Sequence, residues 1–296
     1  MATQTNTPKL WQTHLPTERR EQNKYSRGHV LVIAGGEAPT HMAGASKLAA
    51  MAARRMGAGL VTVMGAEEHR GFFLDGSPGV LFEPTKIGQK TGEETIEDLN
   101  AFCQSRKVTG LVVGQGLGKN NPSLGAQSRQ IVLAALACGL PTVIDADGLT
   151  AFAQTPSDLI TALHDKCVLT PHEAEFATFF KTITDHGKPA ATQLAAHKTG
   201  AIVVQKGPET IIANGTEAVR NDTSAPLLAT AGSGDVLAGV ISALLGKRMP
   251  LLYGACAGVW AHSHAGQKAG FGLIAEDLPH LCAQTIAPYI TINTKA

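Results

Sequence analysis

The feature that most constrains this chain is an alternation. Short β-branched runs, each ending in glycine or a polar turn, recur between alanine-rich segments of helix length. The runs include His29–Ile33, Leu60–Val63, Leu111–Val113, Thr142–Ile144 and Ala201–Val204. Such runs read as buried strands. The segments between them include Ala43–Met56, Leu124–Cys138 and Gln193–His197. Such alternation implies right-handed crossovers, and so an α/β fold with a mainly parallel sheet. Later, Thr210–Val219 reads as a hairpin turning at Asn214-Gly215, which predicts an antiparallel edge. The last third, from Asp235 to Gln267, is helical by pattern. The polar stretch Lys86–Asp98 reads as a surface excursion, and no linker or repeat divides the chain. The expectation is an N-terminal arm over residues 1–22 and a single domain over residues 23–296.

Charge and cysteine usage exclude several functions. The 296 residues carry a formal net charge of +1 without a long Lys or Arg run. Neither nucleic acid nor an anionic membrane is therefore expected as a partner. Five widely spaced cysteines (103, 138, 167, 256 and 282) form no C-x-x-C pair, against a disulfide framework or a zinc site. The N-terminus stays polar to about Gly28 and lacks the apolar core of a signal peptide. Lys247, Arg248 and Pro250 interrupt the most apolar region, so it fails as a membrane span. A cytoplasmic protein is expected.

Chemistry concentrates in Thr230-Ala231-Gly232-Ser233-Gly234-Asp235, followed by Val236, Leu237, Val240, Ile241, Leu244 and Leu245 at helical spacing. A helix starting near Ser233 or Gly234 leaves backbone N–H groups unpaired at the positive end of its dipole. Glycines let that backbone approach a ligand, which makes an anion site suited to a transferring phosphoryl group. Asp235, in the first turn, is placed to take a proton from a substrate hydroxyl. The plainer alternative is that Asp235 caps the helix and the glycines serve a turn.

Other motifs stand at strand ends, where open α/β sheets bind ligands. Asp145 and Asp147 follow Thr142–Ile144 and would either orient a hydrated Mg²⁺ or form a turn with a helix cap. His172 would face a ligand or be structural, and Glu175 would serve the site or stabilise a helix start. Lys206 offers a point charge to phosphate, Gly207 allows close approach, and Thr210 opens the hairpin; a surface turn also explains them. Gly116 and Gly118 suit a ligand-facing loop but form neither a dinucleotide fingerprint nor a Walker motif. His262 and His264 are two apart in a helix, face different directions, and make a poor metal pair.

Taken in order, these pieces resemble a known family. Lys24–Gly36 looks like its opening strand and glycine turn, and Gly57–Val63 its second strand. Gly114-Gln115-Gly116-Leu117-Gly118 corresponds to its G-P-G-L-G loop, and Asp145-Ala146-Asp147-Gly148-Leu149 to its D-A-D-A-L stretch. Leu169–Phe176 resembles L-T-P-H-x-G-E-F, and Lys206-Gly207-Pro208-Glu209-Thr210 resembles a nucleotide-contacting K-G-x-x-T. The anion loop is similar to that of ribokinase-like kinases, and the whole to their NAD(P)H-hydrate dehydratase branch. The resemblance implies a three-layer α/β/α sandwich that uses ADP or ATP with Mg²⁺ to convert (S)-NADHX or NADPHX to NADH or NADPH. It implies catalytic roles for Asp235, Gly232, Ser233 and Gly234. Substrate contacts fall on Ala45, Gly116, Gly118, Asp147, His172 and Asp235. Nucleotide contacts fall on Lys206, Gly207, Pro208, Glu209, Thr210 and Gly234, with Mg²⁺ near Asp145 and Glu175, in a homotetramer. The chain departs from the family at Ser233 for threonine, Thr150 for asparagine, Ala174 for glycine, and Asn221–Leu227 for N-P-T-G-N-P-G. A ribokinase-like kinase for a sugar or vitamin precursor, and a non-catalytic nucleotide-binding protein, would share the same loop.

Overall fold

A computed structural model describes residues 3–34, 42–84, 92–118, 122–223 and 225–294. Gly35 and Gly36 of the expected glycine turn, and Lys86 to Thr91 of the polar stretch, lie outside the described residues. The strands are β1 Gln4–Thr5, β2 Glu18–Arg19, β3 His29–Ile33, β4 Leu60–Gly65, β5 Leu81–Pro84 and β6 Gly110–Val113. They continue as β7 Thr142–Ile144, β8 Cys167–Leu169, β9 Ile202–Gln205, β10 Thr210–Ala213, β11 Ala218–Asn221 and β12 Ile292–Asn293. Ten of them form one sheet in the order β1-β11-β10-β9-β8-β7-β6-β3-β4-β5. From β9 to β5 every pairing is parallel. Only β10 runs antiparallel to both its neighbours. β2 and β12 pair separately.

Alternation along each strand distributes its side chains between two cores. Val30, Val32, Val112, Val143 and Val168 face one layer, where they meet helices Ala43–Arg55, Ser233–Gly246, Leu251–Ala269 and Leu278–Ile286. Leu31, Ile33, Leu111, Val113, Ile144 and Leu169 face the other, against Leu99, Val132, Leu159, Phe176 and Ala195 of the opposite helices. Burial on both faces is the reason these strands read as continuous apolar runs. Each such side chain contributes roughly 1.5–3 kcal/mol. A Cβ at Gly239 would stand 2.2 Å from the Ala49 carbonyl oxygen. That glycine lets helices Ala43–Arg55 and Ser233–Gly246 approach closely.

Three segments differ from the sequence reading. The hairpin forms, with Asn214 and Glu217 closing its turn, but β1 pairs parallel on its outer side. Asn6 holds that extra strand: its side chain donates to Asn221 Oδ1 at 3.0 Å and to the Cys256 carbonyl at 2.8 Å. Trp11 is fully buried against Trp260 and Tyr289. Residues 92–98, within the supposed excursion, begin a helix, Gly92–Arg106, whose Thr95, Leu99 and Cys103 are buried. Its acidic first turn disguised that narrow apolar stripe. The helical last third is two helices, broken at Lys247–Pro250.

Candidate active site

The residues singled out from sequence converge at the carboxyl ends of β6, β7, β8 and β9 and at the start of helix Ser233–Gly246. After β6 the chain turns through Gly114, where a Cβ would lie 1.8 Å from the Asp145 carbonyl oxygen. A side chain there would separate the β6 and β7 loops. Gly116, at φ +66°, lies against the Met42 carbonyl, one turn ahead of half-buried Ala45. Between Asp145 and Asp147, Ala146 takes φ +49°, ψ −121°, a conformation that L residues avoid. This splays the two carboxylates. Asp147 Oδ2 accepts from the Gly118 N–H at 2.9 Å, while Asp145 turns inward, 2% exposed.

There Asp145 Oδ1 meets Lys206 Nζ at 2.7 Å. Burial works to discharge Lys206, yet Asp145, Glu175 and Asp235 together hold its pKa above the ordinary lysine value. The pair flanks the glycine loop: a Cβ at Gly234 would stand 3.5 Å from Lys206 Nζ and 3.7 Å from Asp145 Oδ2. Gly232 takes φ +88° and the helix follows at Ser233. Gly232, not Asp235, occupies the N-cap position, and Asp235 stands in the first turn of the helix. Burial first, then repulsion from Asp145 and Asp147, raises its pKa from 3.8 to about 7, against the attraction of Lys206. A carboxylate so placed exchanges protons near neutral pH, as a general base should.

The next two motifs are braced locally. His172 N-caps helix Glu173–Phe179, accepting from the Glu175 N–H through Nδ1 at 3.2 Å. Glu175 Oε2 accepts from the His172 N–H at 2.8 Å, completing a capping box. The helix-start reading of Glu175 therefore holds, while the exposed His172 ring still reaches the pocket. Burial first raises the Glu175 pKa, with Asp145 adding to it against Lys206 and the His172 N–H. The turn Lys206–Thr210 is closed by the Thr210 hydroxyl donating to the Gly207 carbonyl at 3.2 Å. Lys188, absent from the sequence reading, donates to the carbonyls of Lys206 and Glu209 beneath it.

A pocket of about 600 Å³ opens over these groups, lined by His172, Lys206, Gly207, Pro208, Thr210, Ser233 and Gly234. Its wall includes Asn221, Thr223, Ala225 and Pro226, so the altered Asn221–Leu227 stretch faces the pocket; Ser224 lies outside the described residues. Asn221 Nδ2 donates to Ser263 Oγ at 3.0 Å, which ties the wall through Asn6 to the N-terminal segment. His262 also lines the pocket, where its Nε2 meets Ser233. His264 instead stacks on Trp260, so the two histidines form no metal pair. No group of three or more His, Cys, Asp or Glu among the described residues is disposed to hold a metal ion. No helix among them is long and apolar enough to cross a membrane.

A mainly parallel sheet with a glycine-led helix and a half-buried acid at its carboxyl edge is the arrangement of the ribokinase-like fold. A ribokinase-like superfamily protein from Enterococcus faecalis superposes with a TM-score of 0.81 at 24% identity, covering 97% of this chain and 96% of its own. An ADP/ATP-dependent NAD(P)H-hydrate dehydratase from Bacillus subtilis, co-crystallised with ATP/Mg²⁺, gives 0.76 at 19% identity, covering 98% and 99%. Within that class the chain belongs to the NAD(P)H-hydrate dehydratase (Carb_kinase) family, which matches residues 30–287. It is 33% identical over 277 residues to the bifunctional NAD(P)H-hydrate repair enzyme Nnr of Coxiella burnetii, covering 90% of this chain and 52% of that protein. The chain thus spans about half the length of its bifunctional relatives. It is 32% identical over 276 residues to the ADP-dependent (S)-NAD(P)H-hydrate dehydratase of Neisseria meningitidis, covering 90% of this chain and 87% of that one.

Proposed function

We propose that this chain dehydrates (S)-NADHX and NADPHX to NADH and NADPH, using ADP or ATP as the phosphoryl donor. The observation that carries this reading is Asp235, in the first turn of a glycine-led helix beside its free backbone N–H groups, with its pKa raised to about 7. The ring hydroxyl of the substrate attacks the terminal phosphoryl group as Asp235 takes its proton, and the bridging P–O bond breaks to release AMP from ADP or ADP from ATP. The Gly232-Ser233-Gly234 backbone and the Lys206 ammonium stabilise the charge that develops on the phosphoryl oxygens. The new C–O–P linkage then breaks at carbon: phosphate leaves with the bonding pair as the ring nitrogen's electrons form an iminium, and loss of a proton from the adjacent ring carbon to water or phosphate restores the dihydropyridine. Positioning and exclusion of water are the protein's main contributions.

Gly116, Gly118, Asp147, His172 and Ala45 are assigned to the substrate, and Lys206–Thr210 with Gly234 to the nucleotide. Asp145 is committed to Lys206 and Glu175 to its capping box, so these carboxylates do not form a cage for Mg²⁺. They would suit an ion carried in on the nucleotide phosphates and held there through Asp145. Such an ion supplies charge neutralisation at the phosphates. A cytoplasmic homotetramer completes the reading.

The test incubates the protein and (S)-NADHX with ADP and with ATP in parallel, following the return of NADH absorbance. Recovery requiring nucleotide supports the reading. A stable phosphorylated product without NADH would point instead to an ordinary kinase, and nucleotide binding without turnover to a sensor.

A further inference from the structure

His262 lies on helix Leu251–Ala269, 29 residues from Ser233 in sequence, and is 6% exposed. Its Nε2 stands 3.0 Å from the Ser233 carbonyl oxygen and 3.2 Å from Ser233 Oγ. A carbonyl oxygen only accepts, so Nε2 must carry the ring proton, which fixes the tautomer. Burial keeps the ring uncharged, with its pKa pushed down to about 4 despite the Ser233 carbonyl, and Lys206 acting in the same direction as burial. The single Nε2–H is then shared between the Ser233 carbonyl and Oγ, both acting as acceptors. His262 consumes a lone pair of the Ser233 hydroxyl and leaves its proton free.

Both residues line the pocket that contains Lys206, Gly207 and Gly234. A serine hydroxyl at a helix start otherwise turns onto nearby backbone carbonyls. We propose that His262 is a positioning residue, whose Nε2–H orients the Ser233 hydroxyl so that its proton donates into the pocket toward the transferring phosphoryl group. This adds a side-chain donor to the backbone N–H groups of the loop. It also gives a reason for a hydroxyl at position 233. The inference rests on the reading of residues 232–235 as the anion site, and extends it to a residue on a different helix.

Two measurements test it. In ¹⁵N-histidine NMR of the wild-type protein at pH 7, His262 should appear as the neutral Nε2–H tautomer. An Nδ1–H tautomer or an imidazolium overturns the proposal without any turnover being needed. In steady-state kinetics, His262→Leu misdirects the donor without removing it and should lower kcat about 10- to 100-fold, up to the lower end of the range for a lost oxyanion donor, while nucleotide KM changes less than about threefold. Ser233→Ala should lose a similar factor, and the double variant should be no slower than Ser233→Ala alone. His262→Gln, whose amide retains an N–H, should recover most of kcat. Additive losses, an unchanged kcat in His262→Leu, or no recovery by a folded His262→Gln would each overturn it. If His262→Leu fails to fold, the glutamine and Ser233→Ala variants with the NMR result still decide. Should wild type phosphorylate another hydroxyl compound and return no NADH, the dehydratase reading falls. The same cycle is then read on that transfer.

Discussion

The folded protein carries a cost at Asp235 that the unfolded chain does not, so catalysis and stability should separate when its charge is removed. With the folded carboxyl at about 7 and the ordinary value at 3.8, the folded state holds a proton between those limits that the unfolded state has released. Stability therefore falls as pH rises through this window: the contribution is fully present below about 3.8 and lost above about 7. At 1.36 kcal/mol per pH unit the full difference is at most about 4 kcal/mol. Asp235 is partly open to solvent, and screening reduces the expected value to about 1–3 kcal/mol. Asp235→Asn has no such titration. It should be more stable than wild type by about 1–3 kcal/mol at pH 8, and by roughly a third of that at pH 5. For a chain of this length the pH 8 gain corresponds to about 2–6 °C in Tm. Activity should fall at least about a hundredfold. Urea unfolding of both proteins at the two pH values measures the gain, and the NADHX assay measures the loss. An equal gain at both pH values, or a less stable variant at pH 8, would refute the claim that charge burial sets this pKa.

The same group sets the pH dependence of turnover: kcat/KM should rise through about pH 7 as Asp235 ionises. Asp147→Asn removes a repelling charge and should move that limb to lower pH, whatever it does to the plateau; a limb that stays in place removes Asp147 from the account. Lys206→Met leaves the buried Asp145 carboxylate without its 2.7 Å partner and should cost about 3 kcal/mol in urea unfolding. Adding Asp145→Asn should restore stability but not nucleotide-dependent turnover; a Lys206→Met protein as stable as wild type would show the pair contributes nothing. Gln115 is fully buried, and neither amide atom has a hydrogen-bond partner among the described residues. Gln115→Met, similar in volume, should stabilise the fold by about 1 kcal/mol in thermal unfolding, and a destabilised variant would mean the amide has an unrecognised partner.

The sheet was legible because burial on both faces leaves a one-dimensional trace. Leu31 and Val32 point to opposite layers and both need to be apolar, so β3 reads as a run rather than an alternation. The same rule hid β1, whose two residues Gln4 and Thr5 are exposed. Its place in the sheet depends on Asn6, and a buried asparagine leaves no periodic signal when its partners are Asn221 and Cys256. The sheet edge therefore extended one strand past the predicted hairpin. Gly92–Arg106 was obscured for a related reason: three buried side chains in fifteen residues make too narrow a stripe to stand out from its charges.

Within the site, what could be read was what the backbone demands locally. Gly114, Gly232 and the start of helix Ser233–Gly246 follow from tight approaches and a helix terminus, which short motifs record. What could not be read was the electrostatic balance. Asp145–Asp147, Lys206 and Asp235 lie far apart in sequence and meet only because two strand ends and one helix start share an edge. Asp145 and Asp147 are separated by one residue, yet they do different things. The strained Ala146 sends one to Lys206 and the other to the Gly118 N–H. A paired-carboxylate motif suggested one shared role; the backbone between them assigns two. Asp145 fixes the lysine beside the glycine loop, Asp147 holds the Gly118 loop, and both raise the pKa of the acid that belongs to neither motif. The proposed base at the start of the helix is therefore tuned by the other strand ends. Relaxing Ala146 should therefore shift the pKa of Asp235 without touching it.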